Sequence, residues 1–76
     1  MNRTVSKLSF ETHEAKTSFM MDVLQINHDN TCCLELINDS EINLEIHLLG
    51  SIDEIIIKQL EKLYGQPLIF NQCNVQ

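Results

Sequence analysis

Histidines and cysteines are the side chains of this 76-residue chain that could hold a metal or attack a substrate. They fall into one cluster along the sequence, His28, Cys32, Cys33 and His47, with His13 and Cys73 outside it. A tetrahedral metal centre needs thiolates and imidazoles that converge, commonly through Cys-x-x-Cys or His-x-x-x-His spacing. Here the two cysteines adjoin, and neighbouring side chains on a strand point to opposite faces. The set is read as small apolar side chains on a strand, and no metal site is expected. Cys73 has no histidine beside it in sequence to act as its base and is expected to be a free thiol. His13 could contact an anion, but a solvated residue next to a helix cap is the simpler role. His47 shares the polar side of an alternating run with Asn43 and Glu45, which fits a solvated or partner-contacting residue. The acids pair without forming an acid-base set, since Asp53 and Glu54 suit a helix start and Glu41 and Glu45 suit strand alternation. No glycine-rich phosphate loop, serine elbow or nucleotide fingerprint occurs. No catalytic residue and no cofactor are expected.

These residues sit on six elements. Ser6, Leu8 and Phe10 alternate with Val5, Lys7 and Ser9, a half-buried strand over Thr4–Glu11. Thr12 can cap a helix over His13–Ile26, whose apolar stripe is Ala15, Phe19, Met20, Val23 and Leu24, leaving Lys16, Ser18, Asp22 and Gln25 for water. After a break at Asn27–Asn30, a second strand spans Thr31–Asn38 and a polar turn, Asn38-Asp39-Ser40, leads into a third over Glu41–Leu49. That third strand places Ile42, Leu44, Ile46 and Leu48 on one side. Gly50 ends it, and Ser51 with Glu54 reads as a capping box for a second helix with Ile52, Ile55, Ile56, Leu60, Leu63 and Tyr64 as its apolar stripe. Gly65 and Pro67 stop that helix, and Leu68–Cys73 gives a last strand.

Strand-helix-strand units need right-handed crossovers that leave room for a strand between their ends, and the middle two strands must form a hairpin. The units therefore interleave as a split βαβ. The expected fold is α+β and ferredoxin-like, βαββαβ, with both helices on one face of a four-stranded antiparallel sheet. Residues 1–76 make one domain. The second strand lies at an edge, and Cys32, Cys33, Leu34, Glu35, Leu36 and Ile37 include neither the proline nor the lysine that commonly blocks an edge. With so small a core, that edge is expected to be a homodimer seam.

Composition narrows the partners. Eleven acidic residues against five basic ones give a net charge of −6, and the basic residues are scattered, so neither nucleic acid nor an anionic membrane surface is an expected partner. The open faces of the central strands lack the aromatics of an RNA-binding sheet. Uninterrupted apolar runs such as Ile55-Ile56-Ile57 reach only three residues, far short of a membrane span or a signal peptide. Three cysteines without a pairing pattern point to a reducing cytoplasm.

Ile42-Asn43-Leu44-Glu45-Ile46 followed by Gly50-Ser51, the helix stretch Gln59-Leu60-Glu61-Lys62-Leu63, and the handover from His28 to Cys33 together resemble an ACT domain. More narrowly, they resemble the short regulatory subunit of acetohydroxyacid (acetolactate) synthase of the isozyme II type. The likeness runs from Lys7 to Asn71. It implies a non-catalytic subunit that activates a large catalytic chain carrying thiamine diphosphate, in branched-chain amino-acid biosynthesis. The alternative is a stand-alone ACT-like module that senses an amino acid. The resemblance also implies an effector pocket between the first-helix start of one chain and the seam of another, lined by Thr12, His13, Glu14, Ala15, Asn30 and Thr31. Effector-binding members place glycines where this chain has Glu14-Ala15 and Asp29-Asn30. A Glu14 carboxylate would repel a ligand carboxylate, so weak or absent valine binding is expected.

Overall fold

A computed structural model describes residues 3–30 and 34–73. It contains β1 (Arg3–Ser9), α1 (His13–Asn30), β2 (Leu34–Asn38), β3 (Asn43–Leu49), α2 (Glu54–Tyr64) and β4 (Asn71–Cys73). The strand order is β2-β3-β1-β4, and all neighbours are antiparallel. This is the interleaved ferredoxin-like arrangement that the hairpin and crossover rules require.

Alternation decides the two faces of the sheet. Leu8 on β1, Leu34 on β2, and Leu44, Ile46 and Leu48 on β3 are buried against Phe19 and Val23 of α1, Leu60 of α2 and Leu68. Both helices therefore cover that one face. Phe10, Phe19 and Tyr64 close one end of the core as an aromatic triad, with ring centroids 5.3 to 5.9 Å apart. The opposite face carries Val5, Lys7, Glu45 and His47 and has no helix over it among the described residues.

The helices depart from the expected ones in register and in their ends. Thr12 caps α1, its hydroxyl accepting from the Ala15 N–H at 3.1 Å. The helix then runs through Asn30, one turn beyond Ile26, because the Asn30 side chain donates to the Ile26 carbonyl at 2.9 Å and holds the last turn closed. Its buried stripe is Lys16, Phe19 and Val23, with Met20 and Ile26 packed beside it. Ala15 and Leu24, expected inside, are exposed, and Lys16, expected in water, is buried. In α2 the cap is Asp53 rather than Ser51, since the Asp53 carboxylate accepts from the Ile55 N–H at 3.1 Å. Ile56 and Leu60 are its buried residues, while Ile55 and Leu63 face outward. Gly65 ends α2 in the left-handed region at φ 85°, donating to the Glu61 carbonyl at 2.8 Å. The last strand is shorter than expected. Leu68 instead reaches the core as an extended lead-in, its N–H held by the Glu61 carboxylate at 2.9 Å.

Candidate functional site

Three places bring polar or unsatisfied groups together: the start of α1, the β2 edge, and the uncovered face of the sheet.

At the start of α1, Thr12 is occupied as the cap and also accepts from the Lys16 N–H through its carbonyl, at 3.2 Å. The His13 ring lies between two partners, with Nδ1 3.3 Å from the Glu41 carbonyl and Nε2 3.5 Å from the Thr17 hydroxyl. Glu14 and Ala15 are exposed in the first turn. Lys16 runs inward below them, and its ammonium donates to the Ser40 carbonyl in the β2–β3 turn. Beside these residues an apolar groove of about 480 Å³ includes Met20, Met21 and Leu24. Asn30 stands at the far end of the 18-residue helix, roughly 25 Å away at 1.5 Å per residue. One chain therefore does not bring Thr12–Ala15 and Asn30 together, and a pocket holding both sets needs two chains. Thr31 lies outside the described residues.

Among the described residues β2 is an edge strand and pairs only with β3, from Leu34↔Leu48 to Asn38↔Leu44. Cys32 and Cys33 lie outside the described residues. The Leu34 N–H is taken by the Asn27 side chain at 3.3 Å, so this amide is not free for a second strand. Strand alternation turns the Leu36 N–H to the same side, along the open edge. Ile37 is 39% exposed on the uncovered face. His28 is exposed on the last turn of α1, well apart from His47 in the sheet centre, and no group of three metal-ligating side chains occurs among the described residues.

The uncovered face holds the most organised polar set. His47 is only 7% exposed, although no helix covers it. Its Nε2 lies 2.8 Å from Glu45 Oε1. An ionised carboxylate only accepts, so Nε2 carries a hydrogen, and in the neutral ring Nδ1 is then left with a lone pair. That Nδ1 is buried and has no hydrogen-bond partner among the described residues. Across the ladders, Val5 and Glu35 stand opposite His47, while Lys7 and Ile37 stand opposite Glu45. The His47 bond, followed by one from Asp39, holds the Glu45 carboxyl below its usual range. Asp39 is pushed the other way, first by loss of water at the turn and then by its hydrogen bond to Glu45. Val5, Lys7, Glu45, His47, Ile69 and Asn71 line a shallow concavity of about 580 Å³ here. Sequence reasoning placed His47 on the right face as a solvated or partner-contacting residue; in the single chain it is buried rather than solvated. The pair was legible in the i, i+2 spacing of Glu45 and His47, which puts both on one side of a central strand.

Compared with known proteins, the chain matches no family model, no curated protein and no solved structure. Among the described residues, no helix is long and apolar enough to cross a membrane.

Proposed function

We propose that this chain is a non-catalytic regulatory subunit that acts by docking on a larger enzyme, and that this enzyme is the large subunit of acetohydroxyacid synthase in the cytoplasm. The observation that carries the reading is where the resembling stretches fall. Ile42–Ile46 with Gly50-Ser51 covers the entry to β3, its first half and the turn after it, and Gln59–Leu63 is the C-terminal half of α2, within a βαββαβ chain of the order that an ACT domain has. In this reading the β2 edge, with Leu34, Glu35, Leu36 and Ile37, pairs with the same edge of a second copy, and the thiamine diphosphate belongs to the large chain.

The test is reconstitution. Adding the purified chain to the large subunit encoded in the same genome should raise its rate of acetolactate formation, and the two should co-elute on gel filtration. No change in rate and no complex would overturn the reading. Saturable amino-acid binding to the isolated chain by calorimetry, without any rate effect, would point instead to a stand-alone sensor. Valine binding is expected to be weak or absent. Glu14→Gly removes charge and bulk from the first turn of α1 and should strengthen it.

A further inference from the structure

We propose that the uncovered sheet face centred on His47 is a docking surface for a segment of a partner protein that presents an arginine or lysine beside an apolar side chain. Three observations point to that chemistry. The first is the buried Nδ1 of His47, an acceptor without a donor. With Glu45 taking the Nε2 hydrogen, the neutral ring keeps an open acceptor at Nδ1.

The second observation is charge. The β2–β3 half of this face gathers three carboxyl groups: Glu35 opposite His47, Glu45 beside it, and Asp39 at the turn. Lys7 on β1 faces Glu45, and Arg3 lies at the far end of the same strand, while β4 contributes no charge. The acids thus outnumber the one cation next to them. Asp39 and Glu45 lie within side-chain hydrogen-bond reach of each other, two carboxyl groups side by side at the β2–β3 end of the face. An arriving guanidinium or ammonium complements these carboxyl groups, whereas an acidic segment would be repelled by them.

The third observation is apolar surface on the same patch. Ile69 is 71% exposed where it lines the concavity, and Ile37 is 39% exposed across from Glu45. A segment that offered only charge would leave both in water. A cation next to an apolar side chain covers both.

The inference shares with the regulatory-subunit reading only the need for a protein partner, and its test uses no catalytic chain. The full chain, labelled with nitrogen-15, is titrated with the capped peptides Leu-Arg-Leu and Leu-Gln-Leu. The expected result is dose-dependent movement of the Val5, Glu45, His47 and Asn71 amides and of the His47 Nδ1 resonance. The arginine peptide should bind about five-fold more tightly than the glutamine peptide, as suits a partly exposed charge pair. Glu45→Gln and Glu35→Gln should each reduce that preference while leaving the helix resonances in place. Equal binding of the two peptides, no movement on this face, or movement spread over α1 and α2 would overturn the proposal. So would the same shifts produced by protein concentration alone, which would mean that a second copy occupies the face. A negative titration would leave rate enhancement of a large subunit untouched, so the two readings fail separately.

Discussion

Lys16 carries a charge yet is 4% exposed, because its four-carbon stem lies in the apolar stripe of α1 and only the tip needs a polar partner. That partner is the Ser40 carbonyl, so the side chain ties the first turn of α1 to the β2–β3 turn. Lys16→Ala should cost about 1–3 kcal/mol, from lost packing and a carbonyl left without its donor, while Lys16→Met should restore the packing share. Urea denaturation of the two variants separates those contributions. Phe19 and Val23 were legible as part of a helical stripe, but Lys16 was placed off that stripe and in water, and only the neighbouring turn reveals what satisfies it. Glu45 makes a prediction about pH. Its carboxyl is depressed on folding, so its contribution to stability is complete above the ordinary glutamate value of 4.5 and is lost as pH falls through its lower folded value. Asp39 is raised, so its ionisation opposes folding, and protonation in acid relieves that cost. Glu45→Gln should therefore give a shallower fall in melting temperature from about pH 6 to about pH 3 than the unmutated chain shows. An unchanged acid slope would mean that the Glu45–His47 bond does not persist in solution.

Helix ends were legible as types of signal but not as positions. Ser51 and Glu54 have capping-box spacing, yet Asp53 lies closer to the first helical amides and its carboxylate captures one of them. Asp53→Ala should cost about 1 kcal/mol and Ser51→Ala close to nothing, a difference that thermal melts would resolve. The reverse order would restore the capping-box register. The extra turn of α1 has the same origin. Asparagines read as helix breakers from sequence, but Asn30 here bonds back onto Ile26 and Asn27 reaches the Leu34 amide. The placement of β2 at the edge followed from topology alone. Whether that edge meets a second copy is a matter of solution assembly, and Ile37→Lys tests it with little cost to the core. A charge on the edge strand should raise the dimer dissociation constant about ten-fold in sedimentation while the monomer keeps its helical signal. An unmutated chain that stays monomeric at high concentration would remove the seam.

At the scale of the whole molecule, the order of elements was legible because hairpin and crossover rules leave few arrangements for strand, helix, strand, strand, helix, strand. The content of the uncovered face was less so, since alternation assigns a side to His47 but says nothing about which neighbours close over it. The sheet is also unevenly held. β1 pairs with β3 from Arg3↔Leu49 to Ser9↔Asn43, whereas β4 meets β1 only from Arg3↔Cys73 to Val5↔Asn71. Amides of β4 should therefore exchange with deuterium faster than those of β1 and β3, measured residue by residue by NMR. One further contact spans the molecule. Tyr64 at the end of α2 accepts from the Ser9 N–H and donates to the Ser9 carbonyl, both at 3.1 Å, where β1 ends. The chain has no tryptophan and no other tyrosine. Its near-ultraviolet absorption and emission thus come almost entirely from a phenol whose environment exists only while the second helix is seated on the first strand. The protein carries its own optical gauge of tertiary closure, readable without any label.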